Sequence, residues 1–419
     1  MKMLLLFLMM FVNTAYAVNF DIYQSDYKPL NLAMLVDIAP EYEDDEALFY
    51  QVVTGDLATS QSFKIQNPIG FIADPNEAFI QVAYDDWRII ATDTLVLCRL
   101  RRGENQWVLD VQLHAPFEKK LLAEKHFQVA GNALRGLAHQ TSNFIYQAVL
   151  KIPGHFSSHI IYVTKHGDQS DLVYMDQDAA NRQVIGRNFT LLLSPDWSPN
   201  GRYIALNTYV GNRPRLEFFD LKTGKRDIFA SFKGLNSTPE YSPDGKYIAA
   251  TLSKSGNPDI YIYNIQQRTW RALTHHRALD TTPTWSPDGK WIAFASSRAG
   301  SPEIFRMSVQ GGKAEQVSLE GKYNTSPVWS PKGDRIAFIT KKEWSFALAT
   351  ARMDGTGLRY LATGDAIESP TWSPNGQMIL YSAEDHGVRR IYRVPSWGGT
   401  AVPITPAGQD ASDPAWSRR

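Results

Sequence analysis

A Trp/Tyr-Ser signature returns every 43 or 44 residues through the C-terminal half of the chain: Trp197-Ser198, Tyr241-Ser242, Trp285-Ser286, Trp329-Ser330, Trp372-Ser373 and Trp416-Ser417. Five of the six continue into Pro-(Asn/Asp/Lys)-Gly and then an apolar run such as Trp291-Ile292-Ala293-Phe294. Each unit has room for four short strands that cannot bury both their faces alone, so the units must stack on one another. A repeat of this length is the mark of a β-propeller.

The sixth signature is followed only by Arg418 and Arg419, so three strands of its blade have to come from elsewhere. Residues 160–164 (Ile-Ile-Tyr-Val-Thr) resemble residues 292–296, and residues 171–176 parallel residues 259–264. The expected fold is therefore an α/β N-terminal domain followed by an all-β six-bladed propeller over residues 160–419. Pairing of the C-terminal strand with the start of the propeller segment closes the ring and leaves no open edge.

Within each repeat, Pro fixes φ at the turn, Asp or Asn bonds the turn backbone, and Gly takes the positive φ of a tight hairpin. The Trp or Tyr ending each inner strand is expected to pack between blades, one large ring per blade. Two departures stand out: Tyr241 replaces Trp, and the fourth turn reads Pro331-Lys332-Gly333-Asp334, with no Asp before Gly.

Forty-three basic residues balance 43 acidic ones among 419, so no whole-chain field points to nucleic acid or an anionic membrane as partner. Lys2, the apolar residues 4–12 and Ala15-Tyr16-Ala17 form an export signal with cleavage after Ala17. The run is too short to span a membrane, which takes ~20 apolar residues. No Cys stands there to carry a lipid, and an exported, soluble, monomeric protein is expected. The single cysteine, Cys98, lies in an apolar strand and reads as a buried, inert thiol.

Residues 30–150 read as a compact α/β domain, with residues 151–159 as linker. Strands are expected over 30–36, 63–65, 92–100, 107–113 and 121–129. Asp44, Asp45 and Glu46 open a helix that runs to about Leu57, in accord with the helix dipole. A second helix starts near Asp74-Pro75 and carries Ala78, Val82 and Trp87. Helical spacing of Leu134, Leu137, Ala138, Thr141, Phe144, Ile145, Ala148 and Val149 predicts the last helix. Ahead of this domain, residues 18–29 alternate Val18, Phe20 and Ile22 with polar residues. Two readings stand: an edge strand of the same domain, or an arm that pairs with another protein's sheet edge.

Enzyme chemistry has no motif here: no Gly-x-Ser-x-Gly elbow, no phosphate-binding Gly-x-x-x-x-Gly-Lys, no His-Glu-x-x-His. No catalytic, cofactor or metal residues are expected. Adjacent His275 and His276 on a strand would point to opposite faces, and His155, His159 and His166 with Asp168 lack a third ligand. A propeller channel lined by carbonyls and Asp could hold Ca²⁺ incidentally, with no motif in the sequence that establishes it.

The layout of export signal, short arm, α/β domain and repeats of the Trp-Ser-Pro-Asp-Gly-Lys-x-Ile-Ala-Phe type resembles the TolB family, periplasmic components of the Tol-Pal system of Gram-negative bacteria. Residues 151–163 (Lys-Ile-Pro-Gly-His-Phe-Ser-Ser-His-Ile-Ile-Tyr-Val) are similar to that family's junction. The resemblance implies a non-enzymatic hub supporting outer-membrane integrity and invagination during cell division. It would bind the lipoprotein Pal at one propeller mouth and the C-terminal domain of TolA through the arm, with colicins competing at the Pal site. Carried onto this sequence, the Pal-facing mouth comprises Leu235, Asn236, Ser237, Thr238, Leu279, Asp280, Thr281, Thr282, Asn324, Thr325, Ser326, Glu368 and Ser369. Leu235 stands where a polar residue is expected. These positions also admit a plainer reading as solvated connections between strands. The TolA-facing arm comprises Val18, Asn19, Phe20, Asp21, Ile22 and Tyr23, and the resemblance suggests that arm and mouth are energetically coupled. Two rival classes stay open: an exported propeller enzyme, lactonase or peptidase-like, and a glycan-binding propeller.

Overall fold

The computed structural model describes residues 28–418. The expected export signal and the arm positions Val18, Asn19, Phe20, Asp21, Ile22 and Tyr23 lie outside the described residues.

An α/β unit comes first: β1 (Leu30–Asp37), α1 (Glu43–Thr59), β2 (Phe63–Ile65), α2 (Pro75–Ile80), α3 (Tyr84–Ile89), β3 (Thr94–Arg102), β4 (Gln106–Ala115), β5 (Lys120–Ala130) and α4 (Leu134–Leu150). The strands form one sheet in the order β2-β1-β3-β4-β5, with β1 parallel to β2 and β3 and the rest antiparallel. Alternation along each strand gives the sheet two apolar faces. On one, Met34, Val96, Trp107 and Leu109 meet Phe49 and Leu57 of α1 and Leu137 and Ile145 of α4. On the other, Ala33, Leu35, Leu95 and Leu97 meet Ala78 of α2 and Trp87 of α3. The single helix expected to carry Ala78, Val82 and Trp87 is thus two. Asp74 caps α2 by accepting the N–H groups of Asn76 and Glu77, but Gln81 returns to extended backbone. The interval of five from Val82 to Trp87 falls off helical spacing, and a second turn starting at Tyr84 brings the indole back to the sheet.

Six four-stranded sheets follow. The innermost strands of blades 1 to 6 are Leu192–Trp197, Asn236–Tyr241, Asp280–Trp285, Lys322–Trp329, Ile367–Trp372 and Ala411–Trp416. Blade 6 takes its other three strands from the start of the propeller segment: His159–His166, Gln169–Asp176 and Gln183–Phe189. Its closing ladder is antiparallel, with Trp416 opposite Ile160 and Ser412 opposite Val163. The ring is closed as the repeats require.

The signature turns hold as their chemistry predicts. In blade 2, Ser242 Oγ donates to Asp244 Oδ1 at 2.6 Å and accepts the Tyr247 N–H at 3.0 Å, while Gly245 has φ 71°. In the fourth turn Asp334 does this work from beyond the glycine, accepting from Ser330 Oγ at 3.0 Å. The aromatic rings sit between blades: Trp285 packs with Ala249 and Ile260 of blade 2 and with Ile292 and Phe294 of its own.

Candidate functional site: the propeller mouth

Because each innermost strand runs from one rim to a Trp/Tyr-Ser turn at the other, the ring has two distinct mouths. The α/β unit sits at the turn-side rim. Asn375 of the fifth signature turn donates to the Pro153 carbonyl at 2.8 Å, and Gln61 donates to the Thr400 carbonyl at 2.6 Å. The opposite rim, where the innermost strands begin, is the one on which the predicted site residues fall.

Each innermost strand carries the same backbone device. Ser194, Thr238, Thr282, Ser326, Ser369 and Asp413 have φ between 45° and 52°, and each immediately precedes a proline. The ladder to the next strand slips there, as between Ser237 and Glu240 or Thr281 and Thr284. The proline denies its predecessor the right-handed region and removes a ladder donor, so the strand bulges. Left-handed backbone is costly for a non-glycine residue, especially a branched one. Its sixfold repetition places a hydroxyl or carboxylate around the channel at one level. Asp413 ties its neighbours, accepting the Ser194 N–H at 3.1 Å and the Ser369 hydroxyl at 3.4 Å. Thr282 Oγ1 is buried without a hydrogen-bond partner among the described residues. The channel they line has a volume of about 460 Å³.

The predicted mouth residues divide by burial. Thr238, Thr282, Ser326 and Ser369 line the channel. Leu279 is 51% exposed, Glu368 is exposed, and Leu235, Ser237, Thr281 and Thr325 are half-buried on the rim. Asn236, Asp280 and Asn324 are instead fully buried and committed to internal bonds. Asn236 Nδ2 donates to the carbonyls of Phe232 and Pro214, Arg298 clamps both carboxylate oxygens of Asp280 at 2.9 and 2.8 Å, and Asn324 Nδ2 donates to Glu303 Oε2 at 2.6 Å. Their role as mouth surface is corrected: period-2 alternation turns them inward, where they fix the loops entering the strands. Most of the group begin strands and are not loop residues.

Below the bulges, one position per repeat, just before the aromatic, reads Asp196, Glu240, Thr284, Val328, Thr371 and Ala415. Where it is polar it accepts the backbone N–H of the next blade's aromatic: Asp196 from Tyr241 at 2.7 Å, Glu240 from Trp285 at 3.0 Å, Thr284 from Trp329 at 3.2 Å and Thr371 from Trp416 at 3.5 Å. Arg418 reaches the same wall, donating to the Tyr241 carbonyl at 2.7 Å with its guanidinium 3.7 Å from Asp196. Burial, and then the charge of Asp196, push the Glu240 carboxyl up to about 8. Sequence reading missed this column, although two consecutive acids directly before the aromatic were its visible trace.

Other candidates resolve as structure. His275 and His276 lie on an exposed loop beyond the strand Thr269–Ala272, not on a strand as expected. His155 is buried beside Phe156 and Trp416, with Nδ1 3.1 Å from Asn375 Nδ2; burial, then the Arg393 charge, lower its pKa to about 3. Cys98 is buried, and loss of solvent raises its thiol far above the usual range. Among the described residues, Asp56, His139 and Asp178 form one group with metal-ligand potential. Asp56 bonds His139 Nδ1 at 2.8 Å while Asp178 faces Nε2 at 3.9 Å, on the far side of the ring, and Arg135 bonds Asp178. That arrangement suits an imidazolium between two carboxylates, and the guanidinium opposes a cation there. No helix among the described residues is long and apolar enough to cross a membrane.

Comparison with known proteins places this geometry. A family profile described as the TolB beta propeller domain matches residues 146–419, and one described as the TolB amino-terminal domain matches residues 20–121. The Tol-Pal system protein TolB of Anaeromyxobacter sp. (strain K) is 31% identical over 197 residues, which is 46% of this chain and 45% of that protein. That of Bordetella pertussis (strain Tohama I / ATCC BAA-589 / NCTC 13251) is 31% identical over 165 residues, 39% of this chain and 37% of that protein. The chain thus spans less than half the length of these curated relatives. A crystal structure of TolB from Acinetobacter baumannii superposes with a TM-score of 0.84 at 26% identity, covering 96% of this chain and 100% of that one.

Proposed function

We propose, because this chain belongs to the TolB family, that it is a non-enzymatic hub of the Tol-Pal system, exported to the periplasm by residues 1–17. In this reading the open mouth receives Pal, the arm at residues 18–29 is taken up by the C-terminal domain of TolA, and colicins compete at the mouth. The coupling of the two partners serves outer-membrane integrity and invagination at division.

The observation that carries the reading is the state of the channel acids. In an enzyme, paired carboxylates in a channel are the expected acid and base. Asp196 and Glu240 instead accept backbone N–H groups of the next blade and so hold the ring together. What the open rim offers a guest is a fixed collar of hydroxyls and prolines above them, which suits a protruding polypeptide better than a reacting small molecule. Incidental Ca²⁺ in the channel would supply no chemistry to this reading, and Arg418, 3.7 Å from Asp196, opposes a cation at the acidic wall.

If the arm is held against the protein when Pal occupies the mouth and released when it does not, the two affinities are linked, and the linkage is reciprocal. Calorimetric titration of Pal and of the TolA domain, separately and together, tests it: binding of both with affinities that change in the other's presence supports the hub. Loss of neither partner on deleting residues 18–28, or turnover of a lactone, peptide or glycan by the purified chain, would remove it.

A further inference from the structure

On the open rim, blade 4 carries a feature that folding does not explain. Its second and third strands, Arg335–Lys342 and Ser345–Arg352, are joined by only two residues, Glu343 and Trp344. Trp344 is 97% exposed, more than any other large apolar side chain among the described residues. Glu343 has φ 54°, in a two-residue hairpin turn whose first position favours glycine. Immediately below the turn, Lys322 of the innermost strand lies directly opposite Lys341 in the ladder. Like charges facing across a ladder repel. Both are exposed, and neither makes an ion pair among the described residues. On the innermost strand beside them, Tyr323 is 45% exposed, with its ring 6.3 Å from that of Phe346.

The acidic side of the rim differs. Glu368 and Asp410, of blades 5 and 6, already share Arg389, which lies 3.3 Å from Asp410 and 4.0 Å from Glu368. Those two carboxylates thus share a cation, whereas neither lysine is ion-paired among the described residues. An exposed indole, a turn unfavourable to its residue and an uncompensated pair of lysines occur together at one corner of blade 4.

We infer that the Glu343-Trp344 hairpin is a docking finger for an acidic polypeptide segment, which packs an aliphatic or aromatic side chain on Trp344 and Tyr323 and sets its carboxylates against Lys322 and Lys341. Aromatic anchors flanked by charge are where truncation costs an interface most. This rests on the reading of the open mouth as a protein-binding face and names the chemistry of the partner there.

The test titrates the Pal domain into the wild-type mature chain, Trp344→Ala and the double variant Lys322→Glu/Lys341→Glu, at low and moderate salt. Exposure of all three side chains keeps the unfolding midpoints near wild type, which thermal denaturation checks. Trp344→Ala is expected to weaken binding at least tenfold, and the double variant to weaken it and flatten its salt dependence. Wild-type binding with both variants within twofold of it overturns the finger and leaves the mouth reading standing. No Pal binding by the wild-type chain overturns both. Sedimentation that reveals a dimer abolished by Trp344→Ala, with Pal affinity unchanged, assigns the indole to a second copy and likewise overturns the inference.

Discussion

Glu240 Oε1 accepts the backbone N–H of Trp285 at 3.0 Å, and the Trp285 indole donates back to the Glu240 carbonyl at 3.1 Å. Two blades are thus joined by one residue on each side, at the channel wall. The Glu240 carboxyl sits near Asp196 and is pushed up to about 8, so the folded chain holds a proton there that the unfolded chain, near 4.5, releases. A raised pKa of this kind gives stability present below about 4.5 and lost as pH climbs through about 8. Glu240→Gln keeps the acceptor and removes the titration. Thermal scans from pH 5 to pH 9 should therefore show a smaller fall in Tm than wild type, with the variant higher at pH 9 by ~2 °C or more. An unchanged slope would mean that the carboxyl does not titrate as described.

Closure of the ring is concentrated at Trp416. Its ring packs with Ile160, Tyr162, Met175 and Met378, and Nε1 donates to Ser158 Oγ at 2.7 Å. Trp416→Ala should cost about 3–5 kcal/mol in urea unfolding. Removing residues 411–419 should be worse, since it bares an edge on blade 6 and strips blade 5 of the innermost strand it packs against. A truncated chain with an unaltered urea midpoint would contradict the closed ring.

The joint between the α/β unit and the ring depends on His139. Burial disfavours its charged form, but the hydrogen bond and charge of Asp56, with Asp178 beyond, outweigh that and raise its pKa, against an opposing contribution from Arg135. Gln177 spans the joint, donating to Asp56 at 2.7 Å, while Arg393 donates to the Gln177 carbonyl at 3.2 Å. A raised histidine contributes stability in full below ~6.5 and loses it as pH rises through the folded value. Hydrogen exchange at α4 and residues 176–178 should therefore quicken from pH 6 to pH 9, beyond the intrinsic rate, and His139→Gln should abolish that excess.

His155 gives the opposite slope on the acid side. Buried neutral with its pKa near 3, it contributes stability present above ~6.5 that is lost as pH falls toward 3. His155→Phe, which fills the site between Phe156 and Trp416 without binding a proton, should be less acid-labile than wild type below pH 5. Equal acid midpoints by circular dichroism would remove this group from the acid transition.

What was legible in the chain was local or periodic. The aromatic-Ser-Pro-x-Gly turn repeats its own chemistry, so blade number could be read from spacing, and closure of the last strand on residues 160–164 from their likeness to residues 292–296. Three of the five strands of the α/β unit showed through alternation and the first as a buried apolar run. Long-range polar contacts did not: Asp56 and His139 are 83 positions apart, and Gln177 and Arg393 are 216 apart. Nothing near any of them in sequence announces the pairing. The mouth was located but its inward-turned members were not separated from its surface, because Asn236, Asp280 and Asn324 look like solvated turn residues until register shows them facing inward. Trp344 was overlooked because a single aromatic in a strand-rich chain reads as core.

The central claim is that the rim where the innermost strands begin, and not the signature-turn rim beside the α/β unit, receives a protein partner. Hydrogen-exchange footprinting of the mature chain with and without the Pal domain tests it most directly. Slowed exchange confined to that rim, at residues 235–238, 279–282, 322–326, 341–345 and 367–369, is the predicted result; protection at the Ser-Pro-x-Gly turns instead, or none at saturating Pal, would contradict it.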